Sequence, residues 1–263
     1  MAPVTMLETI TPLILTFNEA PNIARTLDRL KWANDIVVVD SLSTDETMAI
    51  LARYPNVRVF QRAFETHAAQ WNFGLAETGI ATQWVLALDA DYFLTDELSE
   101  EIRGLAPQDG VGGYMARFRY CINGKPLRGA AYPPVTVLFR KAEAGYLQDG
   151  HTQRIEIKGS TEMLRARIFH DDRKSLRHWI ASQERYMRLE AEKLRNGDPG
   201  KLGLADRIRR LRIVAPFAML FFCLIVRGAI LDGRAGIFYA LQRTFAELLL
   251  SLYLLEGDFQ HGR

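Results

Sequence analysis

The chain has 263 residues, 48% of them hydrophobic and 24% charged, a composition that can bury a real core and excludes a disordered or collagenous protein. Its length suits one large domain or two small ones. The 33 Lys+Arg against 31 Asp+Glu look balanced, yet Arg173 to Arg212 holds twelve basic and five acidic residues, a net of +7, so the remainder is net −5.

The first half alternates short β-rich runs with helical patterns, which is how parallel βαβ units read in sequence. Expected strands are Ile10 to Phe17, Ile36 to Val39, Val57 to Phe60 and Trp84 to Leu88, with helices near 20–30, 45–53, 66–78 and 96–105. Ile36-Val37-Val38-Val39 is continuous rather than alternating, as in a strand buried on both faces. Ligands of such open sheets sit beyond the carboxyl ends of the strands. Three of the four runs end in polar groups suited to that place: Asn18-Glu19, Asp40 and Asp89.

From about 111 to 170 the pattern becomes shorter strands, Tyr114 to Ile122 and Val135 to Arg140 among them, and predicts a more antiparallel half of the same domain. Helical periodicity returns from Ser175 to Arg195, and Asn196-Gly197-Asp198-Pro199-Gly200 closes it with turn residues. The expected division is therefore 1–172, an amphipathic helix and turn over 173–200, and a basic segment with apolar helices over 201–263.

Ile213 to Val226 carries no charge, but its 14 residues fall short of the roughly 20 that a membrane span needs. Ile237 to Leu255 is interrupted by Gln242, Arg243 and Glu247. Upstream, Arg207, Arg209, Arg210 and Arg212 would face anionic headgroups, at about 1 kcal/mol per basic side chain. These segments are expected to lie in, or dip into, the cytoplasmic leaflet; the bland alternative packs them against the domain or a second subunit. Cys121 and Cys223 are isolated, which argues against a zinc site or a disulfide framework. The first basic residue is Arg25, so no secretory start is read and the cytoplasm is the expected compartment.

Asp89-Ala90-Asp91 follows a buried run. Two carboxylates one residue apart at a strand end reach a single hard cation and leave positions for phosphate oxygens, and such an ion neutralises a departing diphosphate. An exposed turn carries two acids for no such reason, but Asp40 and Glu19 are expected on the same sheet edge.

Four ordered motifs then resemble glycosyltransferase family 2, the inverting GT-A enzymes: Thr16-Phe17-Asn18-Glu19, Val39-Asp40-Ser41-Leu42-Ser43-Thr44-Asp45-Glu46-Thr47, Gln70-Trp71-Asn72-Phe73-Gly74 and Leu88-Asp89-Ala90-Asp91. Phe169-His170 with the helix after it looks like the branch of lipopolysaccharide core glucosyltransferases and related surface-polysaccharide enzymes. The resemblance implies an α/β GT-A fold, a Rossmann-like nucleotide-binding sheet with a more antiparallel acceptor half, here followed by membrane-associated helices. It implies that Thr16, Asn18 and Glu19 line the nucleotide pocket and that Asp40 accepts a hydrogen bond from the base, usually uracil. Asp45 would shape that loop or cap the next helix. Gln70 and Asn72 would lie near ribose or diphosphate, Asp89 would contact ribose or donor sugar, and Asp91, with Asp89, would hold Mg²⁺ or Mn²⁺.

An inverting enzyme needs a general base for the acceptor hydroxyl. In the matching stretch, Gln148 to Arg154, Asp149 is the candidate, with His151 as its orienting partner or a metal ligand; a plain Asp-Gly turn is the alternative. Gln183-Glu184-Arg185-Tyr186 lacks the spacing of the processive-synthase signature, so polymerisation is not inferred. The expected activity is transfer of a sugar from a nucleotide-diphosphate donor to a lipid-linked saccharide or lipopolysaccharide core at the cytoplasmic face of the inner membrane. Polyprenyl phosphate is the alternative acceptor, and a non-catalytic membrane-bound scaffold the alternative class. A soluble nucleotidyltransferase would leave the C-terminal apolar segments unexplained. No nucleic-acid partner is expected, and the sequence leaves oligomeric state open.

Overall fold

A computed structural model describes residues 5–130, 132–149, 152–197, 200 and 203–260. The chain divides into two compact units: Met1–Gly124 with Tyr132–Arg173, and Lys125–Ala131 with Lys174–Arg263. The expected segments 173–200 and 201–263 thus fall together, apart from Arg173.

In the first unit, β1 (Ile10–Thr16) pairs in parallel with β2 (Ile36–Asp40) and β4 (Trp84–Asp89), and β2 with β3 (Val57–Gln61). Both sheet faces are covered, which is why the runs are continuously apolar. One face buries Ile14, Val38 and Leu88 against Ile23 and Leu27 of α1 (Ile23–Asp28), Leu51 of α2 (Thr47–Leu51), and Leu98 and Ile102 of α4 (Asp96–Arg103). The other buries Leu13, Val37, Val39 and Ala87 against Trp71 and Leu75 of α3 (His67–Glu77). Thr66 and Thr95 start α3 and α4 by accepting from Ala69 N and Leu98 N, supplying acceptors that a helix N-terminus lacks.

The second half of this unit is more antiparallel. From β4 the sheet continues through β8 (Val135–Arg140), β6 (Val111–Ile122) and β11 (Ser160–His170) to β5 (Tyr92–Leu94). Because β5 follows β4 after only Ala90 and Asp91, this path curls back to where it began. Its consequence is local: β11 runs antiparallel to β5 with His170 opposite Tyr92, beside the acidic turn. A separate hairpin, β9 (Ala144–Asp149) with β10 (Thr152–Ile157), sets Tyr146 against Trp71, ring centroids 5.4 Å apart.

The second unit contains the short strand β7 (Lys125–Pro126) and the helices α5 (Leu176–Asn196), α6 (Leu204–Arg209), α7 (Val214–Phe221) and α8 (Arg234–Gln260). Ser175 caps α5, and Met187, Ala191 and Leu194 pack on Ala246, Leu250 and Leu254 of α8. Among the described residues, no helix is long and apolar enough to cross a membrane.

The basic segment is not a uniform headgroup-facing row. Arg209 Nη2 lies 2.9 Å from Glu247 Oε1 and its Nη1 lies 3.5 Å from Glu190 Oε1, while Arg212 pairs with Asp258 at 2.7 Å. Glu190 and Glu247 are buried, and a buried carboxylate demands a cation more strongly than a lipid surface does.

Candidate active site

The carboxyl ends of β1 and β2 form one interlocked double loop. Thr16 stands opposite Asp40 in register, and its hydroxyl donates to Asp40 Oδ1 at 2.8 Å. Asp40 is fully buried and also accepts from Ser43 N (2.9 Å), Ser43 Oγ (2.5 Å) and Gln61 Nε2 (3.3 Å). Those four donors occupy the roughly four lone-pair sites of a carboxylate. Asn18 adopts a left-handed φ of 52°, a conformation Asn tolerates; its Oδ1 accepts from Thr44 N at 2.8 Å, and its own N–H donates to Ser43 Oγ. Glu19 N donates to Thr47 Oγ1 and Ala20 N to Asp45 Oδ2. Burial alone would raise the Asp45 carboxyl, but donors from Thr47 and Ala20 outweigh it and hold it below its usual value. Asp45 thereby braces the entry to α2, and Thr16, Asn18, Glu19, Asp40 and Asp45 form a single structure.

Gln70, in the first turn of α3, joins this loop: it is buried and donates to Ser41 Oγ at 2.8 Å. Its Oε1 accepts from Arg62 Nη1 at 2.6 Å, which places a guanidinium beyond the end of β3. Asn72 faces elsewhere. Two helix positions turn the side chain by about 200°, and both amide atoms of Asn72 bond the backbone of Tyr146 at 2.9 Å. The structure therefore separates Asn72 from Gln70.

Asp89 ends β4 opposite Leu15 of β1. Burial and then the charge of Asp89 push up the phenols of Tyr92, Tyr132 and Tyr146, which puts that carboxylate within electrostatic reach of all three. Asp91 lies in the turn before β5, and its Oδ2 is 2.9 Å from His170 Nε2. The rings of Tyr92, Tyr120 and Tyr132 surround that imidazole at centroid distances of 5.4, 4.8 and 5.1 Å. Burial opposes protonation of His170, but Asp91, with help from Asp89 and Asp172, raises it overall.

The segment after β11 is tied to the loop after β1. Asn22 Nδ2 donates to Glu19 Oε2 (2.9 Å) and Asp172 Oδ1 (2.8 Å), while Arg25 Nη1 donates to Asp171 Oδ2 (2.9 Å). Asp149 is exposed at the end of β9; the preceding Gln148 accepts from Ala68 N in the first turn of α3 at 3.1 Å. Asp149 thus stands near the helix end where Gln70 meets Ser41. His151 lies outside the described residues.

The ends of β1, β2, β4 and β11 therefore bring acids and one imidazole to one edge. Sequence reasoning missed Arg62 and the three tyrosines around His170; the arginine two residues after the third expected strand was the available signal. No group of three or more His, Cys, Asp or Glu side chains that could hold a metal ion occurs among the described residues, so Asp89 and Asp91 would depend on ligand oxygens to complete a cation's shell. Two cavities, of about 260 and 540 Å³, are both lined by Gln83 and Arg140, at the amino end of β4. Chemistry rather than concavity marks the carboxyl edge as the site.

Residues 13–171 match the family described as Glycosyl transferase family 2. An "Uncharacterized glycosyltransferase" of Rickettsia felis is 27% identical, covering 95% of this chain and 91% of that protein. The lipopolysaccharide core biosynthesis glycosyltransferase LpsC of Rhizobium meliloti is 29% identical over 50% of this chain and 48% of its own length. Staphylococcus aureus TarS 1–349, crystallised with UDP-GlcNAc, shares 15% identity at a TM-score of 0.49, covering 97% of this chain and 92% of that one. The α/β sheet with its antiparallel second half is the GT-A arrangement. The family match spans more than half of the sequence, and the chain belongs to glycosyltransferase family 2.

Proposed function

We propose that this glycosyltransferase moves a sugar, with inversion, from a UDP-linked donor to a lipid-linked saccharide or lipopolysaccharide core at the cytoplasmic face of the inner membrane. Family membership and the name of the relative LpsC support the reaction and acceptor class. The observation that carries the reading is the meeting of the Thr16–Asp40 pair, Asp89 and Asp91 at neighbouring strand ends, where ligands of open α/β sheets bind.

Asp40 organises the base subsite through the Ser41–Thr44 loop. Gln61, its longest contact at 3.3 Å, is the partner a base N–H would replace. Arg62 and Gln70 face the diphosphate side. Asp89 and Asp91 would hold a divalent ion, which neutralises the departing diphosphate. His170 orients Asp91 from behind. Asp149 takes the proton of the acceptor hydroxyl as that oxygen bonds to the anomeric carbon and the bond to the diphosphate breaks, with His151 as its partner.

Calorimetry with UDP-sugars, with and without Mg²⁺ or Mn²⁺, tests the donor and the ion. Asp91→Asn should abolish metal-dependent binding with the fold preserved; unchanged binding would remove the ion from the reading. Asp149→Asn should lower turnover about 10²–10⁴-fold. Full turnover would point instead to an acceptor that is already an anion, such as polyprenyl phosphate.

A further inference from the structure

We infer that the α7–α8 hairpin lies flat in the headgroup layer of an anionic bilayer, with its tip held at the surface rather than inserted. This deepens the membrane-face reading above and rests on it, but not on the donor chemistry. From Ile213 to Leu231 nine large apolar side chains are exposed, Phe217 (71%), Phe221 (61%) and Leu231 (78%) among them. On α8, Ile237, Leu241, Phe245, Leu248 and Leu252 continue along one exposed stripe. An apolar surface of this extent marks an interaction site.

Charge selects the occupant. Between Leu211 and Leu255 both acids, Asp232 and Glu247, are buried, and the exposed charges, Arg227 and Arg234, are positive. A second copy seated face to face would set arginine against arginine, whereas anionic headgroups complement the surface.

The tip decides the orientation. Buried Asp232 accepts from Arg128 N (2.8 Å) and Gly129 N (3.0 Å). Lys125 Nζ donates to Asp232 O at 3.0 Å and Arg227 Nη2 to Ala130 O at 2.6 Å. The loop lies so close that a Cβ on Gly129 would be 2.5 Å from Ala229 N. The turn between α7 and α8 is therefore bolted to a loop bearing the exposed cations Lys125 and Arg128, with Arg227 and Arg234 beside them. Four cations at the bilayer centre are prohibitive; at headgroup depth they are favourable.

The test uses the full chain with the buried Cys121 and Cys223 replaced by Ala, and nitroxide labels placed singly at Phe217→Cys, Phe221→Cys, Ile225→Cys and Leu231→Cys. Vesicles are phosphatidylglycerol with phosphatidylcholine, or phosphatidylcholine alone. On the anionic vesicles, oxygen accessibility should place all four labels at one shallow depth, about 5–10 Å. Depth rising by about 1.5 Å per residue from 217 to 231, as for a helix entering end-on, would overturn the flat orientation. Phe217→Asp with Phe221→Asp should weaken vesicle binding more than tenfold while UDP-sugar binding is unchanged. Arg210→Gln with Arg234→Gln should weaken it about fivefold for each arginine removed. Equal binding to neutral vesicles, or labels buried by self-association without lipid, would refute the proposal and leave the catalytic reading standing. Loss of UDP-sugar binding in the unmodified chain would strike that reading alone.

Discussion

Arg209 gives the sharpest energetic test. Its guanidinium is the shared cation of three carboxylates: Glu247 at 2.9 Å, Glu190 at 3.5 Å and Asp206 at 3.5 Å. The side chains of Glu190 and Glu247 are 4% and 3% exposed, so Arg209→Gln strands Glu247 in a packed interior and leaves Glu190 to Lys193, 3.8 Å away. Removing one member of a buried ion pair costs about 3–5 kcal/mol. In a unit of about 100 residues each kcal/mol lowers the melting temperature by about 4–8 °C, so the drop should exceed about 12 °C. Arg210→Gln, an exposed neighbour with the same change of charge, should stay within about 0.5 kcal/mol. Replacing Arg209, Glu190 and Glu247 together by apolar residues of similar volume should recover most of the loss. Calorimetric or urea unfolding measures all three variants. A loss below about 1 kcal/mol for Arg209→Gln would show that the carboxylates find other partners, and the network argument would fail.

Three further outcomes follow from the same geometry. Gly236→Ala places a Cβ 1.8 Å from the carbonyl oxygen of Ala229, so backbone must move; unfolding should show a loss of at least about 1–3 kcal/mol, and a neutral effect would mean that the α8 start is not so close. Asn72→Ala removes both bonds to the Tyr146 backbone and should cost about 1–3 kcal/mol with donor affinity unaltered; lost affinity at unchanged stability would return Asn72 to the site. Burial works to raise Asp171, but Arg173, Gly124 N and Arg25 hold its carboxyl below the usual range. Its contribution is therefore complete above about pH 4 and disappears as pH falls through the depressed value. Asp171→Asn should flatten that part of an acid-unfolding curve, and an unchanged acid limb would contradict the sign.

The parallel half was legible because burial on both faces writes itself as continuous apolar runs; that Thr66, Thr95 and Ser175 cap the starts of α3, α4 and α5 is seen only in the structure. Periodicity also separates Gln70 from Asn72, although a shared motif invites grouping them. What the sequence hid is long-range pairing. His170 reaches Asp91 across 79 positions only because β11 pairs antiparallel with β5, and Asn22 meets Asp172 across 150. The arginine row likewise looks uniform until helix packing supplies Glu190, Glu247 and Asp258 as internal partners.

The double loop shows why motif residues and ligand contacts are different things. A carboxylate exposed to water is free to bind whatever arrives, but Asp40 is buried and already meets Thr16, Ser43 and Gln61. Before any base arrives, its charge fixes the path of Ser41 to Ser43, including Leu42 at a left-handed φ of 62°, a conformation costly for a leucine unless its surroundings enforce it. The same holds for Glu19, whose carboxylate accepts from Asn22 rather than facing solvent. These acids preorganise an edge at which Arg62, Asp89 and Asp91 present charge. Preorganisation removes ordering costs from the binding step, so a motif made largely of self-contacts still belongs to the site it frames.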